Sequence, residues 1–73
     1  MKDEYYYNII RKNIHKYRIE KKMTQQELAN KSNISKQYIN KLENGNNNCH
    51  ITLSTLGKIA DALEIDIRKF FID

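Results

Sequence analysis

The stretch MTQQELANKSNISKQYINKLENG, residues 23–45, constrains the fold more than any other part of the sequence. Proline is absent from the chain and glycine occurs only twice, so helix ends must be read from capping residues and apolar spacing. Thr24 followed by Glu27 is a capping box, in which each side chain accepts a hydrogen bond from the backbone N–H of the other residue. The pattern predicts a helix over 24–31 that buries Leu28.

A second helix follows closely in the same stretch. Asn33 interrupts the first helix, and asparagine readily adopts the left-handed backbone conformation of a tight turn. Ser35 supplies the next N-cap, and Asn44-Gly45 fits a C-cap that ends in glycine. The predicted helix spans 35–43.

Apolar residues at helical spacing predict three further helices, and with them an all-α fold of five short helices in one domain, residues 1–73. The ranges are 5–21, 52–63 and 67–71, with inward-facing Tyr6, Ile10, Ile14 and Tyr17 in the first, Leu53, Leu56, Ile59, Ala60 and Leu63 in the second, and Ile65, Ile67, Phe70 and Phe71 around the last. Gly57 shares the buried side of its helix, where glycine predicts the close approach of another helix.

The charge distribution points to an anionic partner. The 73 residues carry 13 Lys and Arg against 9 Asp and Glu, a net charge of +4. Residues 1–45 hold ten of the basic side chains against five acidic ones, whereas residues 46–73 hold three against four. A chain this short buries only about 60% of its unfolded surface, so a partner or a second copy would add stability.

The sequence predicts a cytoplasmic protein without metal, cofactor or enzymatic activity. Cys49 is the only cysteine, and no stretch is long and apolar enough for a membrane span. Asp3 and Glu4 stand where a signal peptide needs positive charge. A zinc site needs four ligands, and only His15 could join the doublet Cys49-His50. Catalysis by the Cys49 thiol would need an orienting base and a pocket, and the sequence indicates neither.

The helix over 35–43 carries a polar face opposite its buried residues Ile39 and Leu42. Because residues three to four apart are neighbours on a helix, this face consists of Lys36, Gln37, Asn40, Lys41 and Asn44. Asn and Gln amides form bidentate hydrogen bonds to adenine, Lys reaches guanine O6 and N7, and an α-helix fits the major groove of DNA. A merely solvated polar face is the alternative.

The helix-turn-helix over 24–43 resembles that of the XRE family of Cro/cI-type regulators, which have the lambda-repressor-like fold. The resemblance is carried by TQQELA at 24–29, Ala29 at the contact between the helices, Asn33 where the family usually has glycine, Ile34, Ile39 and LENG at 42–45. TLSTLGKIADALEIDIRKFF, residues 52–71, resembles the family's last two helices, so the similarity covers roughly 9–71. The loop 46–51 is slightly longer than usual for the family.

The resemblance implies roles for the polar residues that match the family pattern. Base edges would be contacted by Lys36, Gln37, Asn40 and Lys41, and the DNA backbone by Gln25, Asn44 and Asn46. Apart from the resemblance, Tyr38 lies beside Gln37 and toward the preceding helix, so we expect its ring to be partly buried with its hydroxyl near a phosphate. Arg18 and Glu43 match two residues that often form a partly buried ion pair in this fold. We expect this pair to be a structural clamp.

Apolar residues near the end of the sequence predict a homodimer. Phe71 and Ile72 are more apolar than the end of a monomer needs, and with Ile67 they are the expected contacts. A hydrophobic lid over the first helix would explain the same residues. Two-fold pairing would place two recognition helices about 34 Å apart, one DNA turn, on a near-palindromic site.

Two functions remain open at this stage. The first is a dimeric, nucleoid-associated repressor that binds double-stranded DNA at a specific sequence. It would regulate a phage, plasmid, toxin–antitoxin or restriction–modification locus. The second is a protein-interaction module, such as an antitoxin-like subunit whose main partner is another protein. The polar face and the basic residues 1–45 favour the first. Binding through several phosphates weakens steeply as salt rises, whereas an apolar protein interface hardly responds, so salt dependence separates the two.

Overall fold

The structure, a computed structural model, describes residues 3–45 and 51–73. These residues form four α-helices and a 3-10 helix joined by short connections, and no strand occurs among them. The elements are α1 (Asp3–Glu20), α2 (Gln25–Ser32), α3 (Lys36–Glu43), α4 (Leu53–Leu63) and the 3-10 helix (Ile67–Phe71). The all-α prediction is confirmed, with the last element wound more tightly than an α-helix.

Three side chains fix where α2, α3 and α4 begin. The hydroxyls of Thr24, Ser35 and Thr52 each accept a backbone N–H three residues on, at 3.0 to 3.1 Å. Glu27 completes the predicted capping box, because its carboxylate accepts the N–H of Thr24 at 2.8 Å. These caps satisfy donors that have no partner inside the helix, and each helix starts one residue after its cap.

One hydrophobic core joins all five elements. Its buried members are Ile10, Ile14, Leu28, Ala29, Ile39, Leu42, Leu56, Ile59, Ala60, Ala62, Leu63 and Phe70. Asn13 ties the last segment to α1, since its Nδ2 donates to the carbonyl oxygens of Phe70 and Ile72 at 2.8 Å each. Among the helices of the described residues, none is long and apolar enough to cross a membrane.

Four sequence-based expectations about burial or packing are wrong. Tyr6 is 50% exposed and Leu53 is 71% exposed. These predictions failed because apolar spacing gives the direction of a side chain and does not show whether another element covers it. Phe71, expected to close the core beside Phe70, is 52% exposed. A Cβ added at Gly57 would meet no atom within 4 Å, so no helix approaches it closely.

Left-handed backbone marks several of the element ends. Asn33 has φ 59° at the turn between α2 and α3, as predicted, and Gly45 has φ 74° just after α3. Lys22 (φ 57°) and Glu64 (φ 58°) adopt the same conformation without the short polar side chain that eases it. Glu64 still ends α4 well, since its N–H donates to the carbonyl oxygens of Ala60 and Asp61.

We expect Glu64→Gly to stabilise the fold. A residue with a Cβ pays about 1–2 kcal/mol to adopt the left-handed backbone conformation, and glycine does not. Glycine also loses more backbone entropy on folding, which costs about 0.5–1 kcal/mol. The free energy of unfolding should therefore rise by about 0.5–1 kcal/mol. Urea denaturation measures the change. The control Lys58→Gly, at an exposed position inside α4, should lose about 1 kcal/mol. A Glu64→Gly variant less stable than wild type would contradict the prediction.

Candidate nucleic-acid interface

The outer face of α3 is polar and open, as the sequence analysis predicted. Lys36, Gln37, Asn40 and Lys41 are all exposed, and together with the partly buried Gln25 of α2 they line one shallow cleft. On the opposite side, Ile39 is fully buried and Leu42 is 1% exposed, which anchors the helix to the core. An α-helix has the dimensions that enter a DNA major groove.

Hydrogen bonds connect three amide side chains across this face. Asn40 Nδ2 donates to Gln25 Oε1 at 3.1 Å, which links α3 to the first residue of α2. Asn44 Nδ2 donates to Asn40 Oδ1 at 2.9 Å, and the Asn44 backbone N–H donates to the Asn40 carbonyl at the same distance. Gln25, Asn40 and Asn44 therefore hold one another in place.

A buried ion pair lies directly beneath the amides. Arg18 Nε is 2.6 Å from Glu43 Oε2, and Arg18 Nη2 donates to Glu43 Oε1 at 2.8 Å. The two side chains are 9% and 3% exposed. Arg18 Nη1 also donates to the carbonyl of Met23 at 2.6 Å, just before α2. The structure thus brings together the two residues expected to form a structural clamp, in bidentate geometry.

Two further donors converge on the same carboxylate. His15 Nδ1 lies 2.9 Å and Gln25 Nε2 3.2 Å from Glu43 Oε1. Burial raises the pKa of Glu43, but the hydrogen bonds from Arg18, His15 and Gln25 outweigh it and hold that pKa below the ordinary value. The carboxylate is thus ionised near neutral pH and acts only as an acceptor.

The remaining candidates are spread over the surface. Tyr38 is partly buried beside the core, and Asn44 is exposed at the end of α3. Ile67 is partly buried, whereas Phe71 and Ile72 are 52% and 63% exposed. Three residues of the sequence analysis lie outside the described part of the chain, namely Asn46, Cys49 and His50.

Sequence reasoning missed two partners of Glu43. His15 was considered only as a metal ligand, and Gln25 only as a phosphate contact, yet both bind this carboxylate. The one local signal is that His15 precedes Arg18 by three residues, which puts both side chains on the same side of α1. Nothing in the sequence shows that Gln25 reaches a residue of α3.

We expect Glu43→Ala to lower the free energy of unfolding by roughly 3 kcal/mol, because it leaves the buried Arg18 guanidinium unpaired. Thermal or urea denaturation measures the loss. The double variant Arg18→Met, Glu43→Ala should lose less than Glu43→Ala alone, since no charge is stranded. Equal stabilities of Glu43→Ala and wild type would show that the ion pair does not stabilise the fold.

Comparison with known proteins agrees with the geometry. A helix-turn-helix family model matches residues 14–70. The crystal structure of the restriction-modification controller protein C.AhdI from Aeromonas hydrophila is similar to this chain at 27% identity and a TM-score of 0.79, over 86% of this chain and 92% of that one. No curated protein matches the sequence. Buried apolar residues hold α2 and α3 against the core, and the polar face of α3 points outward. The chain belongs to the XRE-type helix-turn-helix family of non-enzymatic, DNA-binding transcriptional regulators.

Proposed function

We propose that α3 lies in the major groove of double-stranded DNA and reads its sequence. The observation that carries this proposal is the exposed face of Lys36, Gln37, Asn40 and Lys41 opposite two buried apolar residues. Amides and ammonium groups are among the side-chain groups that discriminate bases in that groove.

The residues around α3 divide into base and backbone contacts in this proposal. Gln25 starts α2, where the free N–H groups of the helix and the side chain would meet a phosphate. Tyr38, Asn44 and Asn46 would contact the backbone as well, which positions α3 without specifying sequence. The lysines at 36 and 41 would add phosphate attraction or guanine contacts.

We further propose that the protein binds a near-palindromic operator as a homodimer. An eight-residue recognition helix touches few base pairs, so one copy has little sequence to read. Phe71 and Ile72 are exposed and apolar, and with the partly buried Ile67 they offer a contact to a second copy. Two-fold symmetry would space the recognition helices by about 34 Å.

The similarity also supports a proposal for the kind of locus that the protein regulates. Of the four kinds of locus that the sequence leaves open, the similarity to a restriction-modification controller protein favours a restriction–modification locus. Repression is the proposed outcome, since a dimer on the operator would block access to overlapping promoter DNA. Selection of bound sequences from a random DNA pool tests the proposal, which predicts recovery of a short near-palindrome. Recovery of no preferred sequence would contradict it.

We expect Gln37→Ala and Asn40→Ala each to weaken binding to the preferred site by roughly 1–3 kcal/mol and to relax selectivity there. Both residues are uncharged, so the salt slope of binding should hardly change. Binding assays at two salt concentrations measure both effects. If both variants bind every DNA as wild type does, α3 is not the reader and a protein partner becomes the better explanation of its polar face.

We expect Phe71→Asp and Ile72→Asp to shift the protein toward monomer, because each places a charge in the proposed apolar contact. Ile19→Asp is the matched control, since Ile19 is 52% exposed, as Phe71 is, but lies near the end of α1. Sedimentation equilibrium at micromolar concentration, with and without operator DNA, gives the distribution. A wild-type protein that stays monomeric under both conditions would contradict the dimer.

A further inference from the structure

The hydrogen-bonded amides of Gln25, Asn40 and Asn44 have a direction, and Glu43 sets it. The buried carboxylate offers only lone pairs, so Gln25 must turn its Nε2 toward it, at 3.2 Å. The Gln25 Oε1 then points to Asn40 and accepts from its Nδ2 at 3.1 Å. In turn the Asn40 Oδ1 accepts from Asn44 Nδ2 at 2.9 Å. Each amide orientation follows from the one before it.

The reverse direction is disfavoured on chemical grounds. A flipped Gln25 amide would set its oxygen against the carboxylate of Glu43, which places two acceptors together without a proton between them. Glu43 cannot turn away, because Arg18 holds both of its oxygens. The ion pair thus fixes one of two otherwise equivalent arrangements of the amide face.

We propose that Glu43 is a positioning residue for DNA reading, which sets the base preference of Asn40 through Gln25 without touching DNA. The inference rests on the proposed function of α3. After its two bonds within the chain, Asn40 retains one N–H and one lone pair on Oδ1. These are the two groups that pair with N7 and N6 of adenine.

The fixed direction of the amide specifies the strand that carries the adenine. The Asn40 Nδ2 lies toward Gln25 and the Asn40 Oδ1 toward Asn44. Adenine N7 and N6 occur in opposite order across the groove for A·T and T·A pairs. One orientation of the base pair therefore matches the amide, and the other meets it donor to donor and acceptor to acceptor.

The test measures the affinity ratio between the preferred operator and the same operator with A·T changed to T·A at the pair opposite Asn40. In the double variant Arg18→Met, Glu43→Ala no carboxylate faces Gln25 and no guanidinium is stranded, so either edge of the Gln25 amide can turn inward. We expect the ratio to fall toward one, a loss of about fivefold or more. The control Glu20→Gln removes a carboxylate from an exposed residue at the end of α1 and should keep the wild-type ratio.

A second variant covers the case in which the double variant fails to fold. Gln25→Met breaks the connection between Glu43 and Asn40 and leaves the ion pair intact, so it should lower the same ratio. A Gln25 that contacts only phosphate would instead weaken binding to both DNAs equally. Unchanged ratios in Gln25→Met, and in the double variant where it folds, overturn the inference while Asn40→Ala still relaxes selectivity. If Asn40→Ala has no effect either, the proposed function of α3 has failed as well.

Discussion

A buried carboxylate is the constraint on which the arrangement of the first three helices depends. Removing the charge of Glu43 from water is costly unless donors replace the lost hydration. The structure supplies them from two other helices, Arg18 and His15 on α1 and Gln25 on α2, while Glu43 itself ends α3. Any displacement of one helix would leave a charge or a donor unsatisfied. The cluster therefore fixes the helices by direction as well as by distance, which apolar packing alone does not do.

The turn between α2 and α3 depends on a different kind of constraint. Asn33 adopts a left-handed conformation, and the N–H of the next residue, Ile34, returns to the carbonyl of Ala29 at 3.1 Å. This closes α2 in the manner of a Schellman-type end and sends the chain directly into the Ser35 cap of α3. Ala29, 4% exposed, is small enough for the two helices to meet. Local backbone chemistry sets the crossing of the helices, and the Glu43 cluster then holds it.

The sequence predicted what depends on neighbours along the chain and missed what depends on distant elements. The caps Thr24, Ser35 and Thr52 follow from side chain and backbone groups three residues apart, so they could be read directly. Exposure of Tyr6 and Leu53 is decided by which element lies opposite, and periodicity carries no such information. The bond from Gln25 to Glu43 joins residues 18 apart and has no local signature. The family resemblance supplied the Arg18–Glu43 pair, which spacing alone would not have given.

The amide side chains next to the proposed DNA contact are already ordered in the free protein, and this bears on how the proposed complex gains selectivity. Gln25, Asn40 and Asn44 already hold one another, so their side chains would lose little rotational freedom on binding. None of the hydrogen bonds found among the described residues joins Lys36 or Lys41 to this chain of amides, and flexible ammonium groups suit contacts with phosphates of varied position. In the proposed complex, the ordered amides discriminate between bases and the lysines supply attraction that ignores sequence. Selectivity would then depend on the buried ion pair more than on the total positive charge.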